Sequence, residues 1–442
     1  MKKVITYGTY DLFHYGHERL LERAKELGDY LIVGVTADDF DKTRGKINVH
    51  QPLIERIESV RSTGLADEII VEEYEGQKID DIKRKEIDIF TVGSDWVGKF
   101  DYLKEYCDVV YLDRTEGISS SDIRSEHRSI RLGIIGKTRI LTKFYNESTH
   151  VNGITVEYIC TDDKKEINKL KEENVKITNS YNELLENSDA VFIVSPPNQH
   201  YKQVKKALEL GKHVICEAPI AMNEEEFDEL TKIAKDKNLM LFDSIKTAYS
   251  TAYHRLLLLV QSGRIGDIIS IDATCTSLRD INIENLEEEW SSIEAWGPTA
   301  LLPIFQIFGT EYKNKHISSL LLKDNFDIFT KIDFEYPSSV ASIKVGNSVK
   351  SEGELVISGK EGYIYVPAPW WKTDYFEIRY ENPEENKKYF YQLEGEGIRY
   401  ELVAFVRSIQ MNKDNSYIKT EVSKAITKTI KDCINGDINK LS

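Results

Sequence analysis

Val4-Ile5-Thr6-Tyr7-Gly8-Thr9-Tyr10-Asp11-Leu12-Phe13-His14-Tyr15-Gly16-His17 opens the chain with a β-rich run that breaks at a glycine. It then passes two histidines and enters a helical pattern. Strand, glycine turn and helix in that order form the first unit of a parallel α/β sheet. A helix N-terminus offers unpaired N–H groups and the positive end of a dipole, which suits an anion. His14 and His17, set in that turn, can donate hydrogen bonds to phosphate oxygens as charge builds during group transfer. A lone histidine in a turn is more often a packed or capping residue. Two of them, three residues apart and directly after the first strand, point to chemistry.

Outward from this turn the alternation continues. Strand patterns cover Val4–Tyr7, Leu31–Thr36, Glu68–Val71, Ile89–Val92 and Val109–Leu112, with helical spacing over Glu18–Leu27 and Ile54–Ser62. A second series begins at Arg131, with strands at Leu132–Ile135, Val156–Ile159, Ala190–Val194, His213–Cys216 and Met240–Phe242. After Gly266 the runs lengthen (Ile268–Thr276, Phe329–Phe334, Ser339–Val345, Tyr363–Val366, Tyr375–Tyr380) and read as a larger antiparallel sheet, closed by a helix over Tyr400–Gln410. The chain is therefore α/β, in three parts. Residues 1–126 form a Rossmann-like nucleotide-binding sheet, 130–248 a second, dinucleotide-binding-like Rossmann domain, and 249–442 an α/β domain with a large antiparallel sheet.

Composition limits the partners. Over 442 residues, 58 Lys and Arg against 74 Asp and Glu leave a net charge of −16, which excludes a general basic footprint for nucleic acid. No apolar run approaches the ~18 residues of a membrane span. No signal-peptide core follows Met1-Lys2-Lys3. Five scattered cysteines without metal-ligand spacing read as reduced thiols, so a soluble cytoplasmic protein is expected. Cations nevertheless gather at strand ends. Lys42-Thr43-Arg44-Gly45-Lys46 follows the second strand, Gly93-Ser94-Asp95-Trp96-Val97-Gly98-Lys99 the fourth, and Arg114-Thr115-Glu116-Gly117-Ile118-Ser119-Ser120-Ser121 the fifth. Open parallel sheets bind ligands at those strand ends, and an arginine there can balance phosphate charge.

These motifs resemble the cytidylyltransferases of the HxGH nucleotidylyltransferase superfamily, most of all the glycerol-3-phosphate branch, over nearly all of residues 1–126. The resemblance implies attack by an acceptor phosphate on the α-phosphorus of CTP, with Mg²⁺ accompanying CTP and pyrophosphate released. It implies that His14 and His17 stabilise the CTP phosphates and that Lys46 and Arg114 balance transition-state charge. Thr9 and Ser119 would touch phosphate, and Asp95 and Trp96 would shape the nucleotide or acceptor pocket. Gly8, Tyr10, Asp11, Arg44, Thr115 and Ser120 complete the expected substrate-binding set. One departure stands out: Thr63-Gly64-Leu65-Ala66-Asp67 replaces an Ile-Arg-Tyr-Val-Asp run, and the Ile47–Leu53 loop is longer by about one residue. Taken as loss of a basic group near the acceptor, it points to a longer alditol phosphate than glycerol 3-phosphate.

From Arg131 the chain resembles the Gfo/Idh/MocA oxidoreductases. The resemblance rests on Ser195-Pro196-Pro197-Asn198-Gln199-His200, on Gly211-Lys212-His213-Val214-Ile215-Cys216-Glu217-Ala218-Pro219, and on Ser262-Gly263-Arg264-Ile265-Gly266. It implies NAD(H) or NADP(H) held near Gly136, Thr138, Arg139, Asp162, Pro196, His200 and Glu217. The G-x-G-x-x-G fingerprint is reduced to its first glycine in Gly136-Lys137-Thr138-Arg139-Ile140-Leu141, and Asp162 is placed to hold a ribose hydroxyl. Ala218 stands where the family has a lysine, and Ala295-Trp296-Gly297-Pro298-Thr299 where it has Asp-x-Gly-x-His. Lys246, as an acid with a lowered pKa, or Glu294, beside the lost aspartate, could substitute.

Two functional readings follow. In one, the protein is bifunctional: the C-terminal part reduces a ketose phosphate, and the N-terminal part activates the resulting polyol phosphate as a CDP-alditol such as CDP-glycerol, CDP-ribitol or CDP-glucitol. In the other, the oxidoreductase fold is inactive and serves oligomerisation or regulation. A choline or ethanolamine phosphate acceptor is weaker, since nothing supplies an aromatic cage for choline. No metal-ligand set is expected beyond the Mg²⁺ that CTP carries. A homo-oligomer is expected, with no nucleic-acid or membrane partner, and the product class points to capsule or other cell-surface polymer synthesis.

Overall fold

The computed structural model describes the chain apart from residues 12, 14, 38–48, 50, 52, 74–75, 114–128, 138–140, 152, 171–174, 392, 394, 437 and 442, and the side chains at 54, 55, 95, 324 and 395. It divides into two compact units, Met1–Ser129 and Ile130–Ser442.

In the first unit, β1 (Lys3–Gly8) leads to α1 (Tyr15–Glu26) and β2 (Tyr30–Thr36), then α2 (Leu53–Ser62) and β3 (Glu68–Glu72), and α3 (Gln77–Lys85), β4 (Ile89–Gly93) and β5 (Asp108–Leu112). The strands are parallel, in the order β3-β2-β1-β4-β5. β1 is apolar on both faces because both are covered. Val4 packs with Leu21 and Ala24 of α1 and Val60 of α2, while Ile5 packs on the other side with Ile82 of α3. Gly34 of β2 is required by this packing: a Cβ there would stand 2.2 Å from the Tyr7 ring. The order reverses between β1 and β4, so the crevice for a ligand opens where those two strands end.

The second unit begins with β6 (Ile130–Gly136) and α4 (Leu141–Ser148), followed by β7 (Ile154–Thr155), β8 (Tyr158–Cys160), α5 (Lys164–Leu170) and β9 (Lys176–Thr178). Next come α6 (Tyr181–Glu186), β10 (Ala190–Val194), α7 (Pro197–Glu209), β11 (His213–Glu217), α8 (Glu224–Asp236) and β12 (Leu241–Ser244). Its parallel sheet runs β12-β11-β10-β6-β8-β9, with β7 beside β6, and reverses between β10 and β6. A Cβ at Gly136 would stand 2.6 Å from the Val194 carbonyl, so only glycine permits that approach of β6 to β10.

After α9 (Thr251–Gln261) and β13 (Ile268–Thr276), α10 (Ser292–Phe308) crosses the sheet. Then come β14 (Asn314–Leu321), β15 (Asp327–Glu335), β16 (Val340–Gly346), β17 (Leu355–Gly359), β18 (Tyr363–Val366), β19 (Tyr375–Arg379) and β20 (Lys387–Phe390). The chain closes with α11 (Ile398–Met411), α12 (Thr420–Asn435) and β21 (Asn439–Leu441). These nine strands form one sheet, β20-β19-β18-β17-β13-β16-β15-β14-β21. It is mixed rather than wholly antiparallel. The α10 crossover lets β16 return parallel to β13, and β21 joins β14 in parallel.

Candidate functional site

The turn after β1 is built from inside the first unit. Gly8 ends the strand, Thr9 follows, and Tyr10 takes a left-handed backbone (φ +53°) with its ring buried in the core. Any ligand contact from position 10 therefore falls to its backbone. His17, in the first turn of α1, lies between Tyr10 and Phe13, each ring centroid 5.5 Å from its own. The Asp11 carboxylate is buried and accepts from the Gln51 N–H at 2.9 Å, tying the turn to the entry of α2. Arg56 does more. It shares the inner face of α2 with Val60, and its guanidinium is wholly buried. It donates to the carbonyls of Thr9 (2.6 Å), Thr36 (2.9 Å) and Gln51 (3.0 Å). One cation thus pins the ends of β1 and β2 together.

A cleft opens at these strand ends, lined by Gly8, Thr9, Thr36, Lys78, Trp96 and Phe100 among others. Lys78 of α3 pairs with Glu72 at the end of β3 and stands over the Tyr7 ring at 4.6 Å and the Phe100 ring at 5.7 Å. Glu72 also accepts from the Thr36 hydroxyl at 3.0 Å. Trp96 sits in the short turn after β4, with the Lys99 ammonium 5.2 Å from its ring. Asp95 belongs to the same turn, its side chain outside the described residues. His14, Arg44, Lys46, Arg114, Thr115, Ser119 and Ser120 also lie outside them. The Thr63–Asp67 departure is at the other end of the sheet. It precedes β3, and Asp67 accepts from the Leu31 N–H (2.6 Å) and pairs with Lys25. Among the described residues it does not line the cleft.

In the second unit, Lys137 follows Gly136 and pairs with Asp162 (2.9 Å) and Glu288 (3.7 Å). Thr138 and Arg139 lie outside the described residues. Pro196 caps α7. His200 departs from the cofactor role expected of it. It is fully buried, one ring nitrogen 2.7 Å from the Pro219 carbonyl and the other 2.6 Å from that of Ser195. Both nitrogens are spent joining the β10–α7 turn to the segment after β11, so it positions the crevice from behind. Burial pulls its pKa down against the pull of those carbonyls.

Glu294 is likewise occupied, as the third residue of a capping box that bonds Ser291 N–H at 2.9 Å. Lys246, in the turn after β12, contacts Glu396 at 3.3 Å. Burial, with Lys372 and Lys143 nearby, lowers its pKa against the pull of Glu396. Burial raises the Glu217 carboxyl, opposed by Lys246 and Arg279.

Residues 5–126 match the family described as cytidylyltransferase-like. The glycerol-3-phosphate cytidylyltransferase of Bacillus spizizenii is 53% identical over 130 residues, which cover 29% of this chain and 100% of that protein. The chain belongs to the cytidylyltransferase family. It is a nucleotidyltransferase fused to a second fold, since residues 130–244 match the oxidoreductase family with an NAD-binding Rossmann fold. A trans-1,2-dihydrobenzene-1,2-diol dehydrogenase of Oryctolagus cuniculus is 28% identical over 246 residues, covering 51% of this chain and 72% of that one. The structure of a 3-ketoreductase from Actinomadura kijaniata superposes with a TM-score of 0.64 at 16% identity, covering 71% of this chain and 99% of that one, a likeness of fold.

In the cytidylyltransferase unit, sequence reasoning passed over Arg56 and Lys78. Arg56 had a signal, a charged residue on the apolar stripe of α2. Lys78 had none, because its partner Glu72 and the rings of Tyr7 and Phe100 meet it only through the tertiary fold. Among the described residues of the whole chain, no helix is long and apolar enough to cross a membrane.

Proposed function

We propose that the first unit transfers the cytidylyl group of CTP to the phosphate of a polyol phosphate, with glycerol 3-phosphate the favoured acceptor. An acceptor phosphate oxygen attacks the α-phosphorus and forms a new P–O bond. The bond from that phosphorus to the β-bridging oxygen breaks, and pyrophosphate leaves with the electron pair. CTP enters as its Mg²⁺ complex. The observation that carries this reading is the His17 turn, braced by Arg56, at the β1 end of a switch-point cleft. The full-length likeness to a glycerol-3-phosphate enzyme supports it.

In this reading His14 and His17 donate to the phosphates, Lys46 and Arg114 offset the charge of the five-coordinate phosphorus, and Thr9 and Ser119 hold phosphate oxygens. Arg44, Thr115 and Ser120 assist at the same end. Asp95 and Trp96 wall the pocket, and Lys78 meets the acceptor from the cleft floor. Pyrophosphate release from CTP and glycerol 3-phosphate, lost in His14→Ala and His17→Ala, is the test. Undiminished turnover in both variants would overturn the assignment.

For the second unit the proposal is reduction of a ketose phosphate to the polyol phosphate that the first unit consumes. A dinucleotide suits the place where the sheet reverses between β6 and β10: Gly136 lets the two strands approach there, and Lys137 pairs with Asp162 just beyond β8. NAD(H) or NADP(H), when bound, supplies hydride. Lys246, its pKa lowered, gives a proton to the carbonyl oxygen, and Glu217 orients the substrate beside it. The alternative, an inactive oxidoreductase fold, is favoured by Ala218, Ala295 and Thr299 at positions where the family carries functional side chains. Nicotinamide oxidation with a ketose phosphate that survives His17→Ala and disappears in Lys246→Ala supports the reductase. Absence of oxidation across a panel of ketose phosphates supports the inactive fold.

A further inference from the structure

Three lysines from distant parts of the second unit meet on one carboxylate. Lys143 of α4 lies 2.5 Å from Glu396, Lys372 from the turn after β18 lies 2.7 Å away, and Lys246 lies 3.3 Å away. Their side chains are 27–36% exposed, so the cluster is half-buried yet open to solvent. One lysine suffices for a structural ion pair, and three repel one another. The surplus is about two positive charges, which is the charge of a phosphate monoester near neutral pH. Lys246 and Arg279 both act on Glu217, and Lys246 also faces Glu401, whose carboxyl burial pushes up to about 8, so that it carries little charge near neutral pH.

The cluster is placed for a ligand. It stands at the C-terminal ends of β11 and β12, where open α/β sheets bind. Beside Lys372, Trp371 packs against Trp296 at 4.8 Å, and Arg279 lies over Trp296 at 5.0 Å, making a wall for a carbon chain. Glu396 is held in a left-handed conformation (φ +55°, ψ +23°) between Gly395 and Gly397, a backbone that non-glycine residues adopt at a cost. We infer that Lys143 and Lys372 bind the phosphoryl group of a phosphorylated substrate, with Glu396 as their exchangeable internal counter-ion and Lys246 beside them left for the carbonyl end. The substrate class rests on the reductase reading of this unit; the anion site does not.

The test uses the full chain, titrated calorimetrically with dihydroxyacetone phosphate and with dihydroxyacetone. Lys143→Met and Lys372→Met should each weaken binding of the phosphate ester at least tenfold while leaving pyrophosphate release from CTP unchanged. Glu396→Gln should tighten it several-fold, a gain that misfolding cannot imitate. Unchanged affinity in both lysine variants, or weaker binding in Glu396→Gln, would overturn the site. NADPH oxidation measured alongside separates the two readings. Lysine-dependent binding without oxidation keeps the anion site and removes the reductase. Oxidation with equal KM in wild type and the lysine variants does the reverse.

Discussion

Arg56 shows how a residue remote from the motif can decide whether the motif works. Three carbonyls converge on its buried guanidinium, and two of them end the strands that form the cleft. Arg56→Met keeps the volume and removes every donor, so unfolding of the first unit should become easier by about 3 kcal/mol. Turnover should fall more than KM rises, because the histidine turn loses its brace. Urea unfolding followed beside pyrophosphate release checks both, and a variant as stable and active as wild type would remove Arg56 from this role. His200 carries a second lesson of the same scale. The histidine in its motif read as a cofactor ligand, yet the fold spends both ring nitrogens on backbone carbonyls. His200→Phe should lower stability of the second unit by about 2 kcal/mol, since it removes the ring N–H that one of the two buried carbonyls accepts. Thermal melting would measure it, and an unchanged melting temperature would contradict the tie.

At the scale of elements, strands were legible by two patterns: β10 is apolar and buried on both faces, while β18 alternates buried and more open residues. β10, β13 and β18 have the bounds read from sequence, and most of the other expected strands differ by a residue or two. β9 spans three residues and β14 carries His316, Ser318 and Ser319, so neither presents an apolar run. Helix α11 supplies a property that no linear pattern shows. Its Glu401 accepts from the Ser244 hydroxyl at 2.8 Å near Asp243, and burial pushes these carboxyls up to about 8 and about 7. A carboxyl whose pKa rises on folding favours the folded state while it is protonated. That contribution is complete below the ordinary carboxyl range and is lost as pH climbs through about 7 and about 8. The melting temperature of the second unit should therefore fall from about pH 5 to about pH 8 and level off above that. Glu401→Gln should flatten the slope, since an amide oxygen still accepts from Ser244. An identical slope in the variant would exclude Glu401 as its source.

For the whole molecule, the two-fold architecture was legible because each unit opens with its own strand, glycine and helix. The convergences that make sites were not. Lys78 with Glu72, and three lysines with Glu396, join residues that chain order keeps apart. The net charge of −16 likewise conceals local cationic sites. Residues 1–129 possess their own core on both sheet faces and correspond to the whole length of a separate enzyme. Expressed alone, they should release pyrophosphate from CTP with at least a third of the full chain's kcat; an inactive but folded fragment would show that the second unit completes the site. The central claim is tested most directly by mass spectrometry of the product from CTP and glycerol 3-phosphate, with pyrophosphate measured in the same reaction. The account predicts CDP-glycerol and pyrophosphate in equal amounts, with the rate reduced about 100-fold or more in His17→Ala. Pyrophosphate without a CDP-polyol, or an unimpaired His17→Ala enzyme, would contradict it.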